Sequence, residues 1–142
     1  MLYVGIDTGH ETGFAVWESE CREFDAITTL KIHEALDRVR RLHKAYGDDL
    51  VVVFEDARQR KWLPREKNAS QYRGRLQGAG SVKRDATIWE DFCKDLGIRY
   101  EAKAPTKGAT KWSAETFAKV TGWTGRTSNH ARDAALLVIN RK

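Results

Sequence analysis

The chain has 142 residues, 41% of them hydrophobic and 32% charged, with a formal net charge of +5. That length suits a single domain over 1–142 with a sizeable core, and the balance excludes a disordered or collagen-like chain. No apolar stretch approaches a membrane span, no basic-then-apolar signal opens the chain, and Cys21 and Cys93 stand alone without zinc-ligand spacing. A cytoplasmic protein with reduced thiols and no membrane partner is expected.

Leu2 to Asp7 is an apolar run closed by an acid and predicts the first strand. Thr8-Gly9-His10-Glu11-Thr12-Gly13 is turn chemistry, Phe14 to Trp17 predicts a second strand, and Phe24 to Leu30 alternates as a third. Connections this short imply an antiparallel meander. Ile32, Ala35, Leu36, Val39, Leu42 and Tyr46 then fall at helical spacing, stopped by Gly47 with Asp48 and Asp49. Leu50 to Glu55 is apolar on both faces, which predicts a central fourth strand parallel to the first.

A long helix is expected from Gly78 to Leu96, with Val82, Ala86, Trp89, Phe92, Cys93 and Leu96 facing inward. Gly97 caps it, and Ile98 to Glu101 predicts a short fifth strand. A helix from Lys111 to Val120 follows, broken by Thr121-Gly122-Trp123-Thr124-Gly125, and a final helix runs from Asn129 to the end. The expected fold is α/β: a mixed five-stranded sheet, three antiparallel strands then parallel ones, with helices on both faces.

In such a sheet the first and fourth strands are neighbours, so Asp7 and Glu55 at their ends lie side by side, where ligand sites of α/β sheets form. Two bare carboxylates at that spacing repel unless a cation sits between them. Asp56 is a rival for Glu55, but alternation lets only one of the two face the site, and Glu55 is the choice. His130 and Asp133, at i and i+3, share one face of the last helix, and Ala134 and Ala135 let that helix approach the sheet closely. Taken singly, each has an ordinary structural reading: Asp7 as a turn acid, His130 as a surface residue, Asp133 as an acid favoured by the helix dipole. Together, Asp7, Glu55, His130 and Asp133 are expected to hold Mg2+, as a pair of ions about 3.5–4 Å apart that drive phosphodiester hydrolysis.

The charge is concentrated. Arg58 to Arg84 holds nine basic residues, Arg58, Arg60, Lys61, Arg65, Lys67, Arg73, Arg75, Lys83 and Arg84, against one acid, Glu66. The stretch therefore carries +8, leaving −3 for the remainder of a chain whose total is +5. With Trp62 and Tyr72 interleaved, it is expected to form a nucleic-acid-binding loop.

Tyr3-Val4-Gly5-Ile6-Asp7-Thr8-Gly9, Val53-Phe54-Glu55 and Asn129-His130-Ala131-Arg132-Asp133-Ala134-Ala135 resemble the RuvC-type Holliday-junction resolvases of the ribonuclease-H-like superfamily. Asn68-Ala69-Ser70 and the Gly78-Ala79-Gly80 stretch add to the likeness. The resemblance implies a homodimeric endonuclease that uses two Mg2+ ions, without a small-molecule cofactor, to make paired nicks in a four-way junction. Asp7, Glu55 and Asp133 would be its acidic ligands, with His130 where some members carry another Asp. A histidine there shifts preference toward Mn2+. Lys107, as a catalytic lysine, and Lys111 fall where members place lysines near the scissile backbone. The cellular members carry an aromatic soon after the catalytic Glu; here Arg58 or Gln59 stands there and Trp62 is the first aromatic. In its shortness the chain resembles bacteriophage-borne versions, which implies a broader range of branched DNA. Two other readings compete: a ribonuclease-H-like enzyme on RNA or RNA–DNA hybrid, and a non-catalytic nucleic-acid-binding module.

Overall fold

The computed structural model describes residues 1–60, 69–106 and 111–142, with every side chain in the second stretch except those at 69, 72, 75, 76 and 79. Among these, the order is β1 (Leu2–Asp7), β2 (Glu11–Glu18), β3 (Glu23–Lys31), α1 (Ile32–Tyr46), β4 (Leu50–Glu55), α2 (Ala69–Leu96), β5 (Arg99–Lys103), α3 (Ala114–Thr121) and α4 (Asn129–Val138). The strands form one sheet in the order β3-β2-β1-β4-β5. β1 and β2 are antiparallel, as are β2 and β3, whereas β4 runs parallel to β1 and β5 parallel to β4. That is the strand arrangement of a ribonuclease-H-like α/β fold.

Alternation divides the strands between two cores. Val4, Ile6, Phe14, Val52 and Phe54 pack with Ala35 and Val39 of α1 and with Ala86, Trp89 and Cys93 of α2. On the opposite face Ala15, Ile27, Val51 and Val53 pack with Phe117 of α3 and with Ala131, Ala134, Ala135 and Val138 of α4. Helices thus cover both faces. None of those described is long and apolar enough to cross a membrane.

The close fit of α4 depends on two glycines. A Cβ on Gly5 would come within 2.1 Å of the Ala134 carbonyl oxygen, and one on Gly13 within 1.9 Å of the His130 carbonyl oxygen. Real Cβ atoms do not approach that closely, so both positions must be glycine if the helix is to lie on the sheet. Ser128 caps α4, its Oγ accepting from Ala131 N–H at 3.1 Å, and its hydroxyl also bonds that of Thr29 on β3.

Several boundaries differ from the sequence expectations. β2 begins at Glu11, so Gly13 belongs to the strand and pairs with Asp7. Residues 8–10 suffice for the turn, which Thr12 closes by donating its Oγ1–H to the Gly9 carbonyl at 3.0 Å. α2 starts at Ala69 rather than Gly78 and runs 28 residues through Gly74, Gly78 and Gly80. Glycine weakens a helix by about 1 kcal/mol relative to alanine without ending it. Much of the expected basic loop is therefore helix. Leu96 is exposed, not inward. β5 extends to Lys103. α3 starts only after Ser113, whose Oγ accepts from Thr116 N–H at 3.1 Å, so Lys111 precedes the helix. α4 ends at Val138, and the last residues instead bind the sheet: Trp17 Nε1 donates to the Arg141 carbonyl at 3.0 Å and Tyr3 Oη to that of Lys142 at 2.7 Å.

Candidate active site

The register of β1 against β4 pairs Ile6 with Phe54, so Asp7 and Glu55 are the next residues of two neighbouring parallel strands. Both lie on the α4 side, because Val51 and Val53 do. His130 and Asp133 reach the same place from the first turns of α4. All four line one cleft of about 560 Å³, walled also by Thr8, Arg60, Lys103, Pro105, Thr106, Lys111, Leu136 and Leu137. The expected constellation comes together at the C-terminal ends of the strands.

The electrostatics are those of crowded acids. Burial pushes the Asp7 carboxyl above its usual range, and the charge of Asp133 adds to this, while the His130 hydrogen bond and the charges of His130 and Lys111 oppose it. Glu55 is raised by burial first and then by the charges of Asp7 and Asp133, with Arg60 and Lys111 opposing. A cation bound among them would relieve both the desolvation and the mutual repulsion. His130 Nδ1 lies 2.9 Å from Asp7 Oδ2. When Nδ1–H donates in that bond, the lone pair on Nε2 is the one left to ligate a metal.

Three carboxylates are hard donors of the kind Mg2+ or Mn2+ takes, the softer imidazole of His130 favours Mn2+ over Mg2+, and the cleft leaves room for water and phosphate. Among the described residues, no three His, Cys, Asp or Glu side chains are already gathered closely enough to hold a metal ion, so binding one would require these side chains to draw together.

Asp56 sits on the other side of β4, as alternation requires. It is 4% exposed and held below the usual carboxylate range by hydrogen bonds from Arg58, against the opposing effect of burial. Arg58 donates from Nε to Asp56 Oδ1 at 2.8 Å and from Nη2 to Asp56 Oδ2 at 3.0 Å, and also reaches Glu90 and Thr87 on α2. Arg58, expected at the nucleic-acid contact, thus has its fork engaged by two acids. Trp89 faces inward, as its helical spacing predicts. Its ring is fully buried and meets Phe92 edge-on, with 5.9 Å between centroids.

Of the other candidates for nucleic-acid contact, Arg73 and Lys83 are exposed on α2, and Arg60 and Lys111 line the cleft. Lys61, Trp62 and Lys107 lie outside the described residues, as does the side chain of Arg75. Arg132, which the sequence reading passed over, is only 7% exposed. Its Nε donates to the Trp112 carbonyl at 3.0 Å, and its Nη1 donates to the Thr127 carbonyl at 2.7 Å and to Thr127 Oγ1 at 2.9 Å. Its Nη2 donates to Asn129 Oδ1. An arginine set among alanines of an apolar helix face was the one available signal. No protein-family model matches this chain, and no curated protein matches it.

Proposed function

We propose that this protein is a metal-dependent endonuclease that hydrolyses phosphodiester bonds in branched DNA. The observation that carries the proposal is the meeting of Asp7, Glu55, His130 and Asp133, from β1, β4 and α4, in one cleft at the strand ends. Divalent ions held there would supply Lewis acidity toward both the attacked phosphate and water. The carboxylates of Asp7, Glu55 and Asp133 would hold the cations, and His130 keeps Asp7 oriented through its Nδ1 contact. Arg60 and Lys111 place positive charge on the walls of the same cleft, where a phosphate backbone enters. Arg73 and Lys83 are exposed cations on α2, on the other face of the sheet.

Phosphodiester hydrolysis rests on the cleft and its donors. The four-way junction as substrate, the homodimer and the use of two Mg2+ ions rest on the motif resemblance to RuvC-type resolvases.

The test is cleavage of end-labelled four-way, Y-branched, flap, duplex and RNA–DNA hybrid substrates with Mg2+ or Mn2+. Wild type is expected to nick branched DNA, in symmetric pairs on the four-way junction. Asp7→Asn, Glu55→Gln and Asp133→Asn should each lose at least about 100-fold in rate, since even indirect metal partners are worth 10–100-fold. Cleavage confined to the hybrid would reassign the substrate to RNA. Activity surviving in all three variants would end the metal-site reading.

A further inference from the structure

Lys111 is more than a surface lysine near the cleft. Its Nζ lies 3.5 Å from Asp133 Oδ2, and it lines the same cleft as Asp7 and Glu55. Its charge counters the effect of burial on both of those carboxyls. The segment that carries it is fixed from behind. The carbonyl of Trp112, the next residue, accepts from buried Arg132, and its ring lies 6.4 Å from that of Phe117. Ser113 then caps α3. Arg132 and Asp133 are consecutive on α4, so one helix turn grips this segment twice, by its backbone and by its ammonium. The lysine side chain itself is 72% exposed, so the ammonium approaches the acids from the rim and can withdraw into solvent.

We propose that Lys111 is a built-in counter-ion of the carboxylate cluster, and that a divalent ion and the Lys111 ammonium compete for the same acids. This rests on the metal-site reading above. The competition raises the threshold for filling the site with weakly held ions. It also turns out a free ammonium at the rim when the proper ion enters, beside the path of an incoming phosphate.

Calorimetric titration of Mn2+ into wild type, Lys111→Met and Asp7→Asn tests it. Lys111→Met should bind Mn2+ roughly three- to fivefold more tightly, the scale of an exposed ion pair taken out of competition. The gap should narrow as salt screens that pair. The second readout is thermal stability without divalent ions: Lys111→Met should lower the midpoint, and should do so far less in an Asp133→Asn background. Unchanged or weaker Mn2+ binding in Lys111→Met, or no coupling between Lys111 and Asp133, overturns the counter-ion and leaves the metal site standing. Wild type that binds no more Mn2+ than Asp7→Asn overturns both.

Discussion

Asp7 and Asp56 are the same side chain given opposite assignments by the sheet. Asp7 faces the acid cleft, where burial raises its pKa, so its charged form is disfavoured in the folded state. Its contribution to metal-free stability is therefore lost as pH rises from the unfolded pKa through the raised folded one. Asp56 is depressed chiefly by its hydrogen bonds from Arg58, so its contribution is present above the unfolded pKa and is lost as pH falls through the folded one. At pH 7 without divalent ions, Asp7→Asn should raise the urea midpoint. Asp56→Asn should lower stability by about 1.5–3 kcal/mol, the worth of hydrogen bonds to a charged group, since Arg58 keeps Glu90. Urea melts at pH 7 and in acid would check both signs. A destabilised Asp7→Asn would mean that the bond to His130 outweighs burial.

Among the elements, α4 decides whether a site exists, because it brings His130 and Asp133 to the strand ends. Gly5→Ala and Gly13→Ala should each cost about 3 kcal/mol, the upper range for overpacking, since the clash is with helix backbone that no rotamer can relieve. Gly13→Ala should also weaken Mn2+ binding, as its clash lies at the His130 carbonyl; chemical melts and metal titration on one sample measure both effects. This fit was half legible in the sequence. Ala134 and Ala135 announced a close approach from the helix side. Gly13 read as turn chemistry, because a glycine after Gly9 and His10 looks the same whether it bends a loop or clears space for a helix. Asp7 and Glu55 were readable because each closes an apolar run, and strand alternation then separated Glu55 from Asp56. Arg58 and Arg132 misled or escaped for a common reason. Each has near partners, Asp56 for Arg58 and Thr127 and Asn129 for Arg132, but the bonds to Glu90 and Trp112 span distant parts of the chain, and a local pattern cannot show that a cation is already neutralised or buried. The start of α2 was lost to its glycines, which lower helix propensity without a visible packing role to offset it.

Over the whole molecule, the sheet separates chemistry from support: α4 and the cleft lie on one face, α1 and α2 on the other. On the proposed reading, exposed cations on α2 would contact phosphates of a bound backbone away from the cleft. DNA affinity should fall steeply with salt, and Arg73→Gln with Lys83→Gln should flatten the slope of log K against log salt by about 2, near 0.9 per phosphate contact. An unchanged slope in a binding titration would remove α2 from the interface. β4, an interior strand between β1 and β5, faces both cores. Leu50 to Phe54 is apolar on both sides, so sliding β4 by one residue would leave each core nearly as oily as before. Side-chain size and the acids at its end tell the two alignments apart. The wrong one would move Phe54 into the other core and take Asp56 away from the two hydrogen bonds that Arg58 donates to it. Size and the paired acids therefore proofread the sheet: the alignment that folds best is also the one that assembles the cleft.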